Sequence, residues 1–578
     1  MNKLLCVIVI IFVFSACTLP PPKSIGAAIN APIEIHDLQG CSHISPYLGK
    51  NFSSIQGIVT WKDDQGFYLQ SINPDSADCS SEAIYVFTKQ FPEVIPGDAV
   101  SVSGKVKEFI ADNNLNDQLS TTEIESSSVT ILSSENNLPE PIVIGVDGRL
   151  PPDKIIEDDN FSKFDPQYDG IDFFESLESM RVEIESAVVV EPENAYHEIY
   201  VIPTEMINQN VMSSQGALIA NPADVNPERI LVVLPDSFKK MLNQGDRFTQ
   251  PLIGILTYEY GSYEIIETNT PTIQVQKTGV SSRPESLDSD TISIATYNTN
   301  NLSRFDDTRI NKFASQIYKT LGSPDILLLE EILDDSGSED DGTTRAALTL
   351  KTLTQRIVDF GGPNYSFIDN PPQNNSSGGI AGGNIRTIIL YRTDRGISVS
   401  TSHIANPANQ KTVFENCRIP IVSLFYFRNQ AIYVIGVHLV SNLTNTPLFG
   451  SAQPLQKPDE NKRISQAKWI TQLTANIQSK NPGAVVLVAG DFNDTPESIT
   501  LQTLDSAGFY NIADDLEPNE QYSIIFQGNA YLYDQILLTD PSNNISLSHA
   551  GVMHINTFLN EKQQTSDHDP FIANLTIK

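Results

Sequence analysis

A chain of 578 residues is longer than one hydrophobic core can serve, and predicts about three domains at roughly 100–200 residues each. With 40% hydrophobic and 19% charged residues, the composition is that of folded, soluble modules. The 37 Lys+Arg against 71 Asp+Glu leave a formal charge of -34, which excludes a protein that merely holds nucleic acid through a basic surface but not an acidic enzyme whose site is neutralised by divalent cations.

The N-terminus reads as an export signal over 1–16: Lys3 gives a positive start, 4–14 is apolar, and Phe14-Ser15-Ala16-Cys17 completes it. The apolar run is shorter than the roughly 20 residues that span a bilayer. Ser15-Ala16-Cys17 resembles a bacterial lipobox, with Phe14 where Leu is more usual; this implies cleavage before Cys17 and lipidation of its thiol, with 17–33, Pro-rich over 19–22, as a stalk. Cys6 would leave with the signal. Cys41 and Cys79 are the remaining plausible disulfide pair in an oxidising compartment, and Cys417 reads as a buried structural thiol.

Over 34–135, short β-like runs recur at 55–61, 66–70, 83–88 and 98–106, the last alternating Val100, Val102 and Val106 after a Pro96-Gly97-Asp98 turn. A small closed barrel is the natural architecture for such a chain. The pattern resembles the oligonucleotide/oligosaccharide-binding-fold modules that precede the catalytic domain of extracellular nucleases. A second β-rich stretch, 136–278, has strand candidates at 182–190, 198–202, 230–234 and 251–257, and its Gln244-Gly245-Asp246 echoes the earlier turn. The expectation is a divergent second copy of the same module. Neither stretch carries a stripe of Lys, Arg and aromatics, so both are expected to space and support the C-terminal half of the chain. The polar 279–290 reads as a linker.

From 291 to 578 apolar β runs alternate with helical patterns, which predicts an α/β layered fold. Ile310, Phe313, Ala314, Ile317 and Leu321 share one helical face, and Ala346, Leu350, Leu353, Ile357 and Phe360 another. Polar residues stand repeatedly at the ends of the β runs: Asn298, Glu330-Glu331, His438, Asp491-Phe492-Asn493, Asp534 and Asp567-His568. Any one of these is more often an ordinary strand cap, but strands sharing a sheet edge bring their tips into one cleft. The residue types suit phosphodiester hydrolysis: carboxylates for a hard cation, amides to hold oxygens without added charge, histidines to move protons.

Gly490-Asp491-Phe492-Asn493 with Ser566-Asp567-His568-Asp569-Pro570 resembles the signature of the endonuclease/exonuclease/phosphatase superfamily. Glu331 followed by Asp334-Asp335-Ser336-Gly337, Gly383-Asn384-Ile385-Arg386, Pro447-Leu448-Phe449-Gly450 and Arg463 with Gln466-Ala467 resemble its bacterial extracellular-nuclease branch. The resemblance implies a four-layer α/β sandwich of two packed mixed sheets, preceded by two small all-β modules. It implies Glu331 as principal metal ligand with Asp567, Asn298 beside them, and Mg as the metal, Mn or Ca being alternatives. It makes His568, oriented by Asp534, the general base, His438 the group that assists at the phosphate or leaving group, and Asp491 and Asn493 the groups that position and polarise phosphate and water. Arg386 and Asn384 are candidate phosphate contacts. Glu330 stands where the family more often has Gln, and strand alternation turns it to the other face. One departure is the run His438-Leu439-Val440-Ser441-Asn442, which lacks the Lys the branch commonly carries.

The expected function is therefore an extracellular, metal-dependent nuclease acting on DNA, and RNA as a further substrate, anchored to the cell surface or outer membrane through Cys17, with no protein partner evident. The alternative within the superfamily is a surface phosphodiesterase of lipid head groups or inositol phosphates. A non-enzymatic adhesive protein would have lost metal or proton-transfer residues, and every matched position is intact.

Overall fold

The computed structural model describes residues 33–111, 117–207, 212–269, 271–275, 287–400, 413–540 and 543–578. The expected signal, Cys17, all of the stalk but Ile33 and most of the 279–290 linker lie outside the described residues. Glu34–Lys578 forms one compact unit. Among the described residues no helix is long and apolar enough to cross a membrane.

The first module is a closed five-stranded barrel: Asn51–Lys62, Gly66–Gln70, Ala83–Phe87, Thr121–Ser133 and Ala99–Phe109 succeed one another around it. Closure comes from the parallel pairing of Ala83–Phe87 with Thr121–Ser133. Val100, Val102 and Val106 point inward, as their alternation dictates. A disulfide between Cys41 and Cys79 ties the short helix Ile35–Gln39 to the barrel, and Cys417 is a buried free thiol.

The second module does not repeat that architecture. It is a nine-stranded sheet running from Ile273–Gln274 at one edge to Ile142–Val143 at the other. The expected strand over 182–190 is two, Arg181–Ile184 and Ala187–Glu191, on well-separated positions of the sheet. The echoed turn is nonetheless real. In both, glycine takes a left-handed conformation, Gly97 at φ 93° and Gly245 at 81°, and the next residue, Asp98 or Asp246, accepts from the amide three residues back, Ile95 or Asn243, at 3.0 Å. Turn chemistry is local and strand order is not, so one turn recurs in two topologies.

The C-terminal domain consists of two six-stranded sheets. The first orders Tyr365–Ile368, Arg386–Arg392, Ile326–Ile332, Thr291–Leu302, Phe571–Ile577 and Ile545–Val552; the second orders Ser398–Ser400, Ile421–Phe427, Gln430–His438, Val485–Asp491, Asp534–Thr539 and Tyr510–Asn511. Alternation explains the layers. Ile292, Ile294, Ile326 and Leu328 meet Val434, Leu487 and Ile536 between the sheets, while Ala295, Leu327 and Leu329 turn outward onto Phe313, Leu350 and Leu353 of the helices Asp307–Ser315 and Ala347–Asp359. Val486 and Val488 likewise turn outward onto Ala467, Ile470 and Leu504 of Glu460–Lys480 and Ile499–Asp505. Helix, sheet, sheet and helix make four layers. Phe360, expected on a buried face, lies beyond the end of its helix and is exposed.

The second module meets this domain at several places, among them Asn243–Gln244, where Gln244 N donates to Phe558 O at 3.0 Å and Asn243 Oδ1 accepts from Asn560 N at 2.9 Å. Phe449 is buried against Phe174 and Tyr263, with Arg229 over its ring. The hairpin Ile524–Phe526/Asn529–Tyr531 exchanges backbone hydrogen bonds with Leu218–Ala220, Ala530 N to Leu218 O at 2.8 Å and Ala220 N to Ala530 O at 3.2 Å.

Candidate active site

Strand register assembles half of the site directly. His438 pairs with Asp491 on the neighbouring parallel strand, and Asp491 with Asp534 on the next, antiparallel one, so three functional side chains stand in a row at one end of the second sheet. Gly490 permits this close approach. Its φ is 144°, and a Cβ there would lie 1.9 Å from Val437 O.

The first sheet supplies its residues through irregularity. Ladder register shifts between Asn298 and Leu302 on one strand and between Leu329 and Ile332 on its neighbour. At the shift Glu331 adopts φ 58°, which a residue with a Cβ rarely takes, and Thr299 Oγ1 clamps it by donating to Glu330 O at 2.7 Å and Glu331 O at 3.2 Å. Such strain persists where surrounding structure imposes it, commonly at functional sites. The two glutamates are thereby separated. Glu330 is fully buried and accepts from Thr296 Oγ1 at 3.1 Å, whereas Glu331 keeps a fifth of its side chain accessible.

Asn298 joins the two sheets. Its Nδ2 donates to Glu331 Oε1 at 3.3 Å and Asp491 Oδ2 at 3.1 Å, its Oδ1 accepts from Asn300 N, and its carbonyl accepts from Ser566 Oγ at 2.7 Å. Asn493 donates its backbone N–H to Asp491 Oδ1 at 2.8 Å and its Nδ2 to Leu439 O at 3.2 Å. His568 Nδ1 sits 2.7 Å from Asp534 Oδ2, so that contact engages Nδ1 and not Nε2. Arg463 and Gln466 brace the segment after His438: Arg463 pairs with Asp494 at 3.0 Å and donates to Ser441 O, while Gln466 Oε1 accepts from Val440 N.

The electrostatics divide the histidines. Burial lowers His568, but Asp534, with Asp567 and Asp491 nearby, overrides it and raises the imidazole well above its usual value. Burial, then Arg418 and His568 itself, hold His438 well below. The two imidazoles of one cleft are thus pushed in opposite directions, His568 toward its charged form and His438 toward its neutral one. Burial, with help from Asp534 and Glu331, pushes Asp491 up to about 7 against the pull of His568. Burial and then Asp567 raise Glu331.

Asp567 thus acts on Glu331 as a like charge, opposed by His568 and Arg418, and the two carboxylates accept long side-chain hydrogen bonds, from Asn298 at 3.3 Å and Ser566 Oγ at 3.3 Å. Two carboxylates close enough to act on each other are hard oxygen donors of the kind a divalent cation takes. The donor set fits the expected metal.

Ten residues were expected here, and the structure brings eight together: Asn298, Glu331, His438, Asp491, Asn493, Asp534, Asp567 and His568. Arg386 and Asn384 are used elsewhere. Arg386 is buried, donates to Asn384 O and Thr344 O and pairs with Asp369 at 3.6 Å; Asn384 Nδ2 donates to Asp334 Oδ2 at 2.9 Å and to Thr343 O. Both hold a loop together, so the phosphate role gives way to a structural one. The cation that sequence reasoning missed is Arg418. It is buried, donates to Leu439 O, has an Nε without a hydrogen-bond partner among the described residues, and counts Asp491 and Glu331 among the charges acting on it. Its only sequence signal is an arginine two residues before Pro420, at the head of a strand.

Residues 295–568 match the family model described as Endonuclease/Exonuclease/phosphatase family, and residues 143–277 match a Domain of unknown function (DUF8508). No curated protein matches the chain. Among solved structures, half of the chain resembles D. rerio TDP2 complexed with a single strand DNA product, at 18% identity over 50% of this chain and 99% of that one, TM-score 0.35. A mannosyl-6-phosphatase of Bacteroides thetaiotaomicron aligns at 15% identity over 50% and 100%, TM-score 0.33, and an endonuclease/exonuclease/phosphatase of Bacteroides vulgatus at 16% over 50% and 99%, TM-score 0.33.

Proposed function

Residues 295–568 belong to the endonuclease/exonuclease/phosphatase family, whose members hydrolyse phosphoesters, and from that premise we propose that this chain is an exported, divalent-metal-dependent nuclease cleaving DNA, and RNA, without sequence specificity. The observation that carries the reading is the row His438, Asp491 and Asp534, faced by Glu331 and closed by the 2.7 Å His568–Asp534 contact. A cation on Glu331 and Asp567, Mg²⁺ foremost, would screen the phosphate and stabilise charge developing on its oxygens. The chain's own groups then have separate tasks. Asp491 and Asn493 orient the attacking water, His568 takes its proton through Nε2, and Asp534 steadies the imidazolium so formed. Neutral His438 and charged Arg418 contact the phosphoryl oxygens or the leaving group. Of the acidic neighbours that raise His568, a cation on Glu331 and Asp567 would neutralise Asp567, which would shift the imidazole toward the neutral form a base needs while Asp534 keeps it oriented.

A polynucleotide is favoured over a small phosphomonoester by Phe305, 63% exposed on a groove of 690 Å³ that also includes Leu333, two residues beyond Glu331. Arg304 lies 4.2 Å from its ring centroid, and an aromatic paired with a guanidinium is a stacking platform for a base. We propose further that lipidated Cys17 anchors the mature chain at the cell surface. Nicking of supercoiled plasmid with Mg²⁺, Mn²⁺, Ca²⁺ or chelator, run beside release of phosphate from inositol phosphates and cleavage of phospholipid vesicles, tests the substrate. Metal-dependent nicking with inert lipid and inositol substrates is the expected result, and the reverse pattern overturns the nuclease reading.

A further inference from the structure

Away from the cleft, the segment leading into the helix Gly170–Glu175 gathers three buried carboxylates. Oxygens of Glu157, Asp169 and Asp172 lie within 4.8 Å of one another, on side chains of residues only 8%, 1% and 0% exposed. Buried charge requires a partner, and the donors present do not suffice. Asp172 is served by His43 at 2.6 Å and by Asp165 N at 2.6 Å; Glu157 Oε1 accepts from Asp159 N and Phe161 N. Glu157 Oε2 and Asp169 Oδ1 are buried with no hydrogen-bond partner among the described residues, and Asp165 Oδ1 is a third such oxygen in the same segment. Lys163 is taken by Asp165 and His43 by Asp172, with Glu175 also 3.8 Å from the imidazole.

We propose that Glu157, Asp169 and Asp172 form a structural calcium site, separate from the catalytic cation. Charge and shape both select this occupant. Three carboxylates against one imidazolium leave a deficit of two positive charges, and the unserved atoms are all oxygens. A buried set of protein oxygens suits Ca²⁺, which accepts 6–8 oxygen ligands flexibly, better than Mg²⁺, which demands an octahedron and keeps its waters. Burial and then the neighbouring Glu157 and Asp158 push Asp169 up to about 7, the direction that crowded, uncompensated carboxylates produce. The ion would fasten a stretch with mechanical consequences: Gly170 N and Ile171 N bond back to Ile155 O and Ile156 O, and Phe174 of the same helix packs on Phe449 of the C-terminal domain.

The test is a calorimetric Ca²⁺ titration and a thermal unfolding curve on the full chain carrying Glu331→Gln, so that the catalytic cation contributes least. The parent should bind Ca²⁺ in the presence of excess Mg²⁺ and melt higher with it. Adding Asp169→Asn, which keeps shape and removes charge, should weaken that binding event by about tenfold or more and remove the thermal gain. Glu157→Gln is read the same way should Asp169→Asn fail to fold. A parent that shows no Ca²⁺ response, or variants that respond as the parent does, overturn the site.

Discussion

Glu331 and His568 occupy one cleft with different work, and substitution should separate them. Glu331→Gln keeps the volume and the Asn298 contact but removes the charge a hard cation needs, so affinity for Mg²⁺ should fall and excess Mg²⁺ should restore part of the rate. His568→Ala leaves Glu331 and Asp567 in place; its rate should fall by about 10²–10⁴-fold and stay low at any metal concentration. Calorimetry beside plasmid cleavage reads both effects, and full metal rescue of His568→Ala would remove it from proton transfer. Asp491 exposes the cost of such a site in stability. Buried, and pushed up to about 7 from the ordinary carboxylate value, it binds its proton more tightly folded than unfolded. Stability is thus unaffected below the unfolded value near 4, declines as pH rises from there through about 7, and levels off above it. In metal-free protein Asp491→Asn should therefore melt above the parent at pH 8 and alongside it at pH 4, while cleaving nothing. Equal melting temperatures at pH 8 would contradict the buried charge. At this scale much was legible, because each side chain caps an apolar run and strand tips converge. Arg418 was not, since a lone arginine before a strand looks like any other. Arg386 misled for the complementary reason: its motif is intact, but its guanidinium is turned onto Asn384 O and Thr344 O.

Among the elements, those that announce themselves by period were readable and those held by tertiary pairing were not. Ile310, Phe313, Ala314 and Ile317 share a helical face and lie in one cluster. Thr121–Ser133 has no apolar alternation, with Thr122, Glu123 and Ile124 its only buried residues, and exists because Ala83–Phe87 and Ala99–Phe109 offer it two edges. The second module's nine-stranded order escaped for the same reason. Position in a sheet is a long-range property, even where a Gly-Asp turn is plain. Where the modules meet, Phe449 is the residue to remove. It is 5% exposed between Phe174 and Tyr263, and its carbonyl accepts from Tyr258 OH at 3.0 Å. Phe449→Ala should cost about 3–5 kcal/mol, the usual range for a buried Phe. The loss should appear as a lower melting temperature and faster proteolysis between the modules, and a change of under about 1 kcal/mol would mean the contact does not couple them.

At the scale of the whole molecule, the charge of -34 sets how the chain can meet a polyanion. Nucleic-acid binders usually approach their target down a favourable field, and added salt weakens them as counterions are no longer released to advantage. On the proposed function the long-range field repels the substrate, and the attractive groups, Arg418 and the cation the site would hold, act only at contact. Screening must then help rather than hinder. The Debye length shortens from about 30 Å at 0.01 M to about 8 Å at 0.15 M, so repulsion between enzyme and duplex fades over that interval while a contact pair inside the cleft is screened far less. With Mg²⁺ fixed and saturating, kcat/KM for plasmid cleavage should rise as monovalent salt increases from about 0.01 to 0.15 M, and kcat at saturating DNA should change little, since chemistry comes after docking. Phe305→Ala should raise KM on single-stranded oligonucleotides without altering this salt profile, because stacking does not depend on the field. A kcat/KM that falls steeply with salt from the lowest concentration would instead reveal a local basic track strong enough to outweigh the net charge, and the acidic surface would then have no part in substrate capture.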